Sequence, residues 1–213
     1  MDGFQRNAGT AGLVGGLALI VLFGFFFTLG VPPADLGKPD ALLAATKAKS
    51  GQIAGIGILG AVTSALGIIF AAGLASRLRD RAPTRATAQL YFAVVGLAAF
   101  ALDGVIRWMG GTKLAQAADA VAASHAYAAI DAVGVGLTGF GNGFTGVSLL
   151  LVGWAIIGTR ALSAAVGWVA VITGVVTLIA TPLPAASPIF LLSGLLTIVW
   201  LLWGGYALRK AAT

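Results

Sequence analysis

The 213-residue chain contains no cysteine, no glutamate and a single histidine, His125. Without thiols there is no disulfide, no thiolate metal centre and no cysteine nucleophile, and the redox compartment cannot be read from the sequence. A zinc or copper centre would need ligands that these absences remove, and bis-histidine haem ligation within one chain is excluded. Charge is equally scarce. Only 9% of residues are Asp, Glu, Lys or Arg, against about a quarter in a soluble domain, which excludes an ordinary soluble fold. No lysine lies within a long apolar run, which argues against a retinal Schiff base. The glycine-rich segments follow no predicted strand, so neither a dinucleotide fingerprint nor a phosphate loop has its required context. The net charge of +6 sits mostly beside apolar runs rather than on a polar surface, so nucleic acid is not an expected partner.

What is present is apolar sequence in six long runs, each near the about 20 residues needed to cross a bilayer. They cover about residues 10–30, 53–76, 88–109, 130–157, 162–181 and 189–208. Each ends at a stop signal: Pro32 and Pro33, the Arg77–Arg85 cluster, Gly110–Gly111, Thr159–Arg160, Pro182, and Arg209–Lys210. The first run follows Arg6 but exceeds the about 7–15 residues of a signal-peptide core, so it reads as an uncleaved anchor. Arg6, Arg77, Arg79, Arg81, Arg85, Arg160, Arg209 and Lys210 all fall on one side of a six-span arrangement. That side is expected to be cytoplasmic, with both termini inside. The opposite side holds Lys38, Lys47, Lys49 and Lys113, balanced by Asp35, Asp40 and Asp119. The fold class is therefore an all-α polytopic bundle forming one transmembrane domain, residues 1–213, in the bacterial cytoplasmic (inner) membrane. Two further segments, about 40–50 and 112–129, are predicted as outer helices. They lie either across the mouth of the bundle or flat in the headgroup region.

The fourth run opens with GLTGFGNGF, Gly136 to Phe144, where glycine at about 1 kcal/mol per residue should weaken a helix. At 100° per residue, Ala132, Gly136, Gly139, Gly143 and Gly146 form one stripe, with Asp131, Thr138, Asn142 and Thr145 beside it. The spacing predicts a smooth face for a neighbouring helix, a polar edge turned inward, and Val133, Leu137, Phe140, Phe144 and Leu151 toward lipid. The competing arrangement is an unwound segment that exposes backbone to a ligand. Similar stripes recur in the second run (Gly57, Gly60, Ser64, Gly67, Ala71) and the fifth (Gly167, Ala170, Gly174, Thr177, Thr181).

Ionisable groups inside spans are expensive and mark candidate sites. Asp103 and Arg107 lie four apart near the outer end of the third span; Asp131 starts the polar edge of the fourth, one turn after Tyr127 and His125. These groups, with Asn142 as a floor, predict a chamber in which two acids and one base leave surplus negative charge. A purely structural arrangement stays open: an Asp103–Arg107 pair, Asp131 at the interface, Asn142 bonded to a neighbouring helix. His125 is a candidate pH-sensitive group or single pigment ligand, and the solvated alternative stays open. Trp200 shares a face with Ser193, Thr197 and Gly204 and is a candidate pocket residue, whereas the other tryptophans read as interface anchors. The arginine run 77–85 has the composition of an anionic-lipid contact, although topology alone accounts for it. No nucleophile with an adjacent base is visible, so an enzyme ranks last, and no cofactor is identified.

From Phe144 to Ala180 a long span ends in a basic turn, Arg160 and Leu162, followed by Val166-Gly167-Trp168 at the head of the next. In this the chain resembles uncharacterised bacterial six-helix membrane proteins grouped as a domain of unknown function. The resemblance implies a six-helix fold and supplies no catalytic residue. Two functions follow: a small-molecule binding or transport chamber opening outward, or a non-catalytic accessory subunit of a larger membrane complex of pigment or redox type. In the second, the glycine faces and the FGFFF segment from Phe23 would dock the partner. The lipid bilayer is the expected surrounding, with other membrane subunits or a second copy as protein partners.

Overall fold

A computed structural model describes residues 2–31, 38–183 and 187–212, and among these every regular element is a helix. In chain order they are α1 (Asp2–Thr28), α2 (Pro39–Ala48), α3 (Ser50–Leu78), α4 (Pro83–Ala115), α5 (Ala120–Thr159), α6 (Ala164–Ala180) and α7 (Pro188–Ala211). The Pro32–Pro33 break, Asp35 and part of the Pro182–Pro188 turn lie outside the described residues. Five helices, α1, α3, α4, α5 and α7, are long and apolar enough to cross a membrane. The uncharged α6 has 17 residues, or about 26 Å at 1.5 Å per residue.

Local chemistry sets the boundaries. Pro39, Pro83 and Pro188 occupy first-turn positions, where a missing N–H is harmless. Asp119 caps α5 by accepting from the Val121 and Ala122 amides, both at 3.0 Å. α5 ends where Arg160 turns left-handed (φ 53°) and returns its N–H to the Ile156 carbonyl at 2.8 Å. Within the helices, the hydroxyls of Thr10, Thr28, Thr112, Thr173, Thr181 and Thr197 donate to the carbonyl one turn back. Each polar side chain is thereby satisfied inside an apolar setting.

The six longer helices close a ring in which each packs on the next in sequence, α1 beside α3, then α4, α5, α6 and α7, with α7 returning to α1. The core within it includes Phe70, Leu74, Leu78, Val152, Ile156, Val166, Trp200 and Leu208. Outward, Leu17, Ile69, Leu102, Ile172 and Leu195 are exposed. Apolar side chains cover the outside of several helices, a surface suited to hydrocarbon. Chain start and end meet at one end of the bundle: a Cβ at Gly9 would lie 2.6 Å from the Arg209 amide nitrogen. On α1, Phe23 covers Gly194 of α7 and the Phe25 ring lies against Gly55 of α3.

Helix boundaries differ from the sequence expectation in three places. α4 runs on through Gly110–Gly111, because two glycines weaken a helix without ending it when both flanks pack. The outer segment 112–129 is divided, its first part ending α4 and the remainder starting α5 at the Asp119 cap. α5 is then one helix of 40 residues, about 60 Å long, with no unwinding at GFGNGF.

The stripe on α5 is packed only in part. Gly146 meets Leu178 and Gly174 of α6, but Gly136 and Gly143 have open space where a Cβ would stand, and Ala132 is exposed. For Ala132 and Gly136 the reason is length, since α6 reaches its end near Gly139, whose nearest neighbour is the Thr181 carbonyl; Gly143, between two residues that α6 does reach, faces no atom within 4 Å. The stripes on α3 and α6 are buried at Gly57, Ser64, Gly67 and Ala71, and at Gly167, Ala170, Gly174 and Thr177.

Candidate functional site

The α4–α5 contact is made by backbone meeting backbone. A Cβ at Gly96 would stand 2.8 Å from the Gly141 carbonyl, and one at Gly141 would stand 3.1 Å from that of Gly96. With the helices this close, charged side chains about two to three turns away, toward the end of α4 and the start of α5, are brought together. Arg107 Nε donates to Asp103 Oδ1 at 2.6 Å along α4, and its Nη1 donates across the interface to Asp131 Oδ1 of α5. Nη2 reaches the Asp131 carbonyl at 3.4 Å, and Thr138 Oγ1 donates to Asp103 Oδ2 at 3.0 Å. The three charged side chains retain 16–27% exposure, so they are neither open to bulk solvent nor sealed. Gly134 lies one turn past Asp131, and a Cβ there would overlap Arg107 Nε and Asp103 Oδ1. The ion cluster therefore rests directly on the α5 backbone.

Above the cluster lies α2. Its buried Thr46 contacts Gly111 of α4 and pairs with the hydroxyl of buried Tyr127 on α5, one turn before Asp131. Ser124 of α5 donates to Asp40 at the head of α2. The junction after α2 is held as well. Lys49 Nζ donates to the Thr28 and Leu29 carbonyls at 2.7 and 2.9 Å, and Gln52 Nε2 donates to the Phe25 carbonyl at 2.7 Å. Short polar bonds thus fasten this helix over one end of the bundle.

The remaining candidates occupy different surroundings. Asn142 is buried on the α5 face that continues below Thr138, and no hydrogen bond of its side chain is found among the described residues. One turn further on, Thr145 Oγ1 is buried without a partner beside Gly96. His125 is exposed on the outer turns of α5, apart from the ion cluster. Trp200 is buried against Phe70, ring centroids 5.7 Å apart, in the hydrophobic core between α3 and α7. The bundle brings together Asp103, Arg107 and Asp131, with Asn142 further along the same helix pair; His125 and Trp200 do not join them.

Sequence reasoning passed over Thr46, Gly134 and Gln89. Gln89 is buried on α4 and donates through Nε2 to the Ala71 carbonyl of α3 at 2.9 Å. Ser148 of α5 donates to the Gln89 carbonyl at 2.8 Å. The α4–α5 seam consequently carries polar groups from Asp131 to Ser148, about 26 Å at 1.5 Å per residue. The available signal was the spacing of Asp131, Gly134, Thr138, Gly141, Thr145 and Ser148, which returns every third or fourth residue to one face.

No group of three or more His, Cys, Asp or Glu side chains able to hold a metal occurs among the described residues. Compared with known proteins, the chain matches no family model, no curated protein and no solved structure, so the resemblance over Phe144–Ala180 gains no counterpart there. Residue roles rest on geometry alone.

Proposed function

We propose that the chain is a six-span protein of the bacterial cytoplasmic membrane, with both termini inside, that binds or carries a small cation or a proton in a polar chamber near its outer face. The observation that carries the reading is one guanidinium shared by two carboxylates at partial burial, with 16–27% of each side chain exposed. Two acids and one base leave a net negative charge within an apolar bundle, a setting that attracts positive charge. Asn142 and Thr145 supply uncommitted polar groups below, and α2 covers the approach above. The six-span orientation is supported by arginines collecting at the end where the termini meet. An uncharged α6 of about 26 Å is short but close to the hydrocarbon thickness of about 30 Å.

The accessory-subunit alternative would use the Phe23–Phe27 segment for docking. Phe23 and Phe25 also contact Gly194 and Gly55 within the bundle, while Phe25 and Phe27 keep exposed rings that this alternative would use.

The test is the thermal stability of the purified full chain at a series of pH values, with sodium, potassium and a series of alkylammonium ions as probes. Expected is a pH- or cation-dependent rise in Tm that Asp131→Asn and Asp103→Asn abolish while both variants stay folded. A response unchanged in both variants, or none in the unmodified chain, overturns the reading.

A further inference from the structure

At the opposite end from the ion cluster, the α3–α4 turn and the end of α5 enclose a cleft of about 390 Å³ lined by Arg81, Ala82, Pro83, Thr84, Arg85, Gly158 and Thr159. Arg81 Nη1 donates to the Thr159 carbonyl at 3.2 Å, which fixes its guanidinium on the cleft wall and leaves further N–H donors free. Arg85 Nη1 passes 3.9 Å from where a Cβ of Gly158 would stand. Among the described residues neither arginine has a carboxylate within ion-pair distance, although Asp80 immediately precedes Arg81. Two exposed cations held side by side without a counter-ion call for an anion.

The cleft does not end at the polar edge. It shares Pro83 and Thr84 with a shallow, open groove along one face of α4 that continues past Thr87 and Ala88 to the exposed Tyr91. Pro83 to Tyr91 is about 12 Å along the helix, directed into the apolar region. A soluble anion would use the first cleft and leave the second empty. A phospholipid uses both, its phosphate between Arg81 and Arg85 and an acyl chain beside Thr87 and Tyr91.

We propose that the Arg81–Arg85 cleft and the α4 groove together form a binding site for one anionic phospholipid. The site is independent of the ion cluster and of any ligand held there.

Native mass spectrometry of the full chain, in detergent supplemented with phosphatidylglycerol or phosphatidylcholine, reads the proposal. The unmodified chain should retain phosphatidylglycerol in preference. Arg81→Gln/Arg85→Gln should lower that retention at least about tenfold, whereas Arg6→Gln/Arg209→Gln, on α1 and α7, should leave it within about twofold. Equal loss in the two double variants would reduce the effect to general surface charge and overturn the site. Equal retention of both lipids by the unmodified chain overturns it without any substitution. Displacement of the lipid by millimolar inorganic phosphate would make the cleft a soluble-anion site and also count against it.

Discussion

Arg107 has three polar contacts and is shared by two acids, so its removal differs from removal of either partner. Arg107→Ala strands two carboxylates near one another and is expected to cost about 2 kcal/mol, below the about 3–5 of a fully buried pair because the cluster keeps some solvent. Asp131→Asn leaves the Asp103–Arg107 pair intact and should cost under about 1 kcal/mol. Unfolding in mixed micelles by SDS titration measures both. Gly134 gives a sharper test of the packing. Gly134→Ala places a methyl group where Arg107 and Asp103 lie and should cost about 1–3 kcal/mol. Gly136→Ala and Gly143→Ala meet open space and should be neutral or stabilising by up to about 1 kcal/mol. Asp103, Arg107 and Asp131 stood out in the sequence because charge is rare in apolar runs. Gly134 did not, since a glycine among thirty others carries no mark of what lies across from it.

Among the elements, α5 and α2 have the most to do with the cluster. Asp119 both ends the α4–α5 connection and starts α5, so Asp119→Ala should cost about 1 kcal/mol and raise amide exchange over Ala120–Tyr127. Tyr127 and Asp131 follow on the same helix, and hydrogen–deuterium exchange would show whether the loosening reaches them. The long helices were legible from apolar run length, and α2 from Pro39 and Asp40 at its start. Boundaries were less so: two glycines in a row at 110–111 resemble a stop, yet packing against Ile130 and Tyr127 carries the helix past them. The α5 stripe was read correctly as helical, but periodicity reports which residues share a face and is silent on whether a neighbour is long enough to cover it.

For the whole molecule, the absence of cysteine makes topology directly measurable, since any introduced thiol is unique. On the proposed topology, which puts both termini inside and has α6 cross, Ala117→Cys and Pro182→Cys should react with a membrane-impermeant maleimide in intact cells. Gly158→Cys and Ala212→Cys should react only after permeabilisation. Labelling of Pro182→Cys from the inside alone would leave α6 short of a full crossing. Composition by itself set this chain apart from ordinary soluble domains and made it compatible with a bilayer, because so little charge is far below what a soluble folded surface carries. Run length placed the long apolar helices but not their ends or their number, because an apolar run marks what hydrocarbon would accept and not where packing carries a helix beyond it. Which polar groups meet was decided only by tertiary structure. The close approach of Gly96 to Gly141 sets α4 against α5 and thereby brings Arg107 to Asp131, while the α3–α7 contact takes Trp200 into the core. Such pairings depend on distances between helices far apart in sequence, and a one-dimensional pattern holds no measure of them.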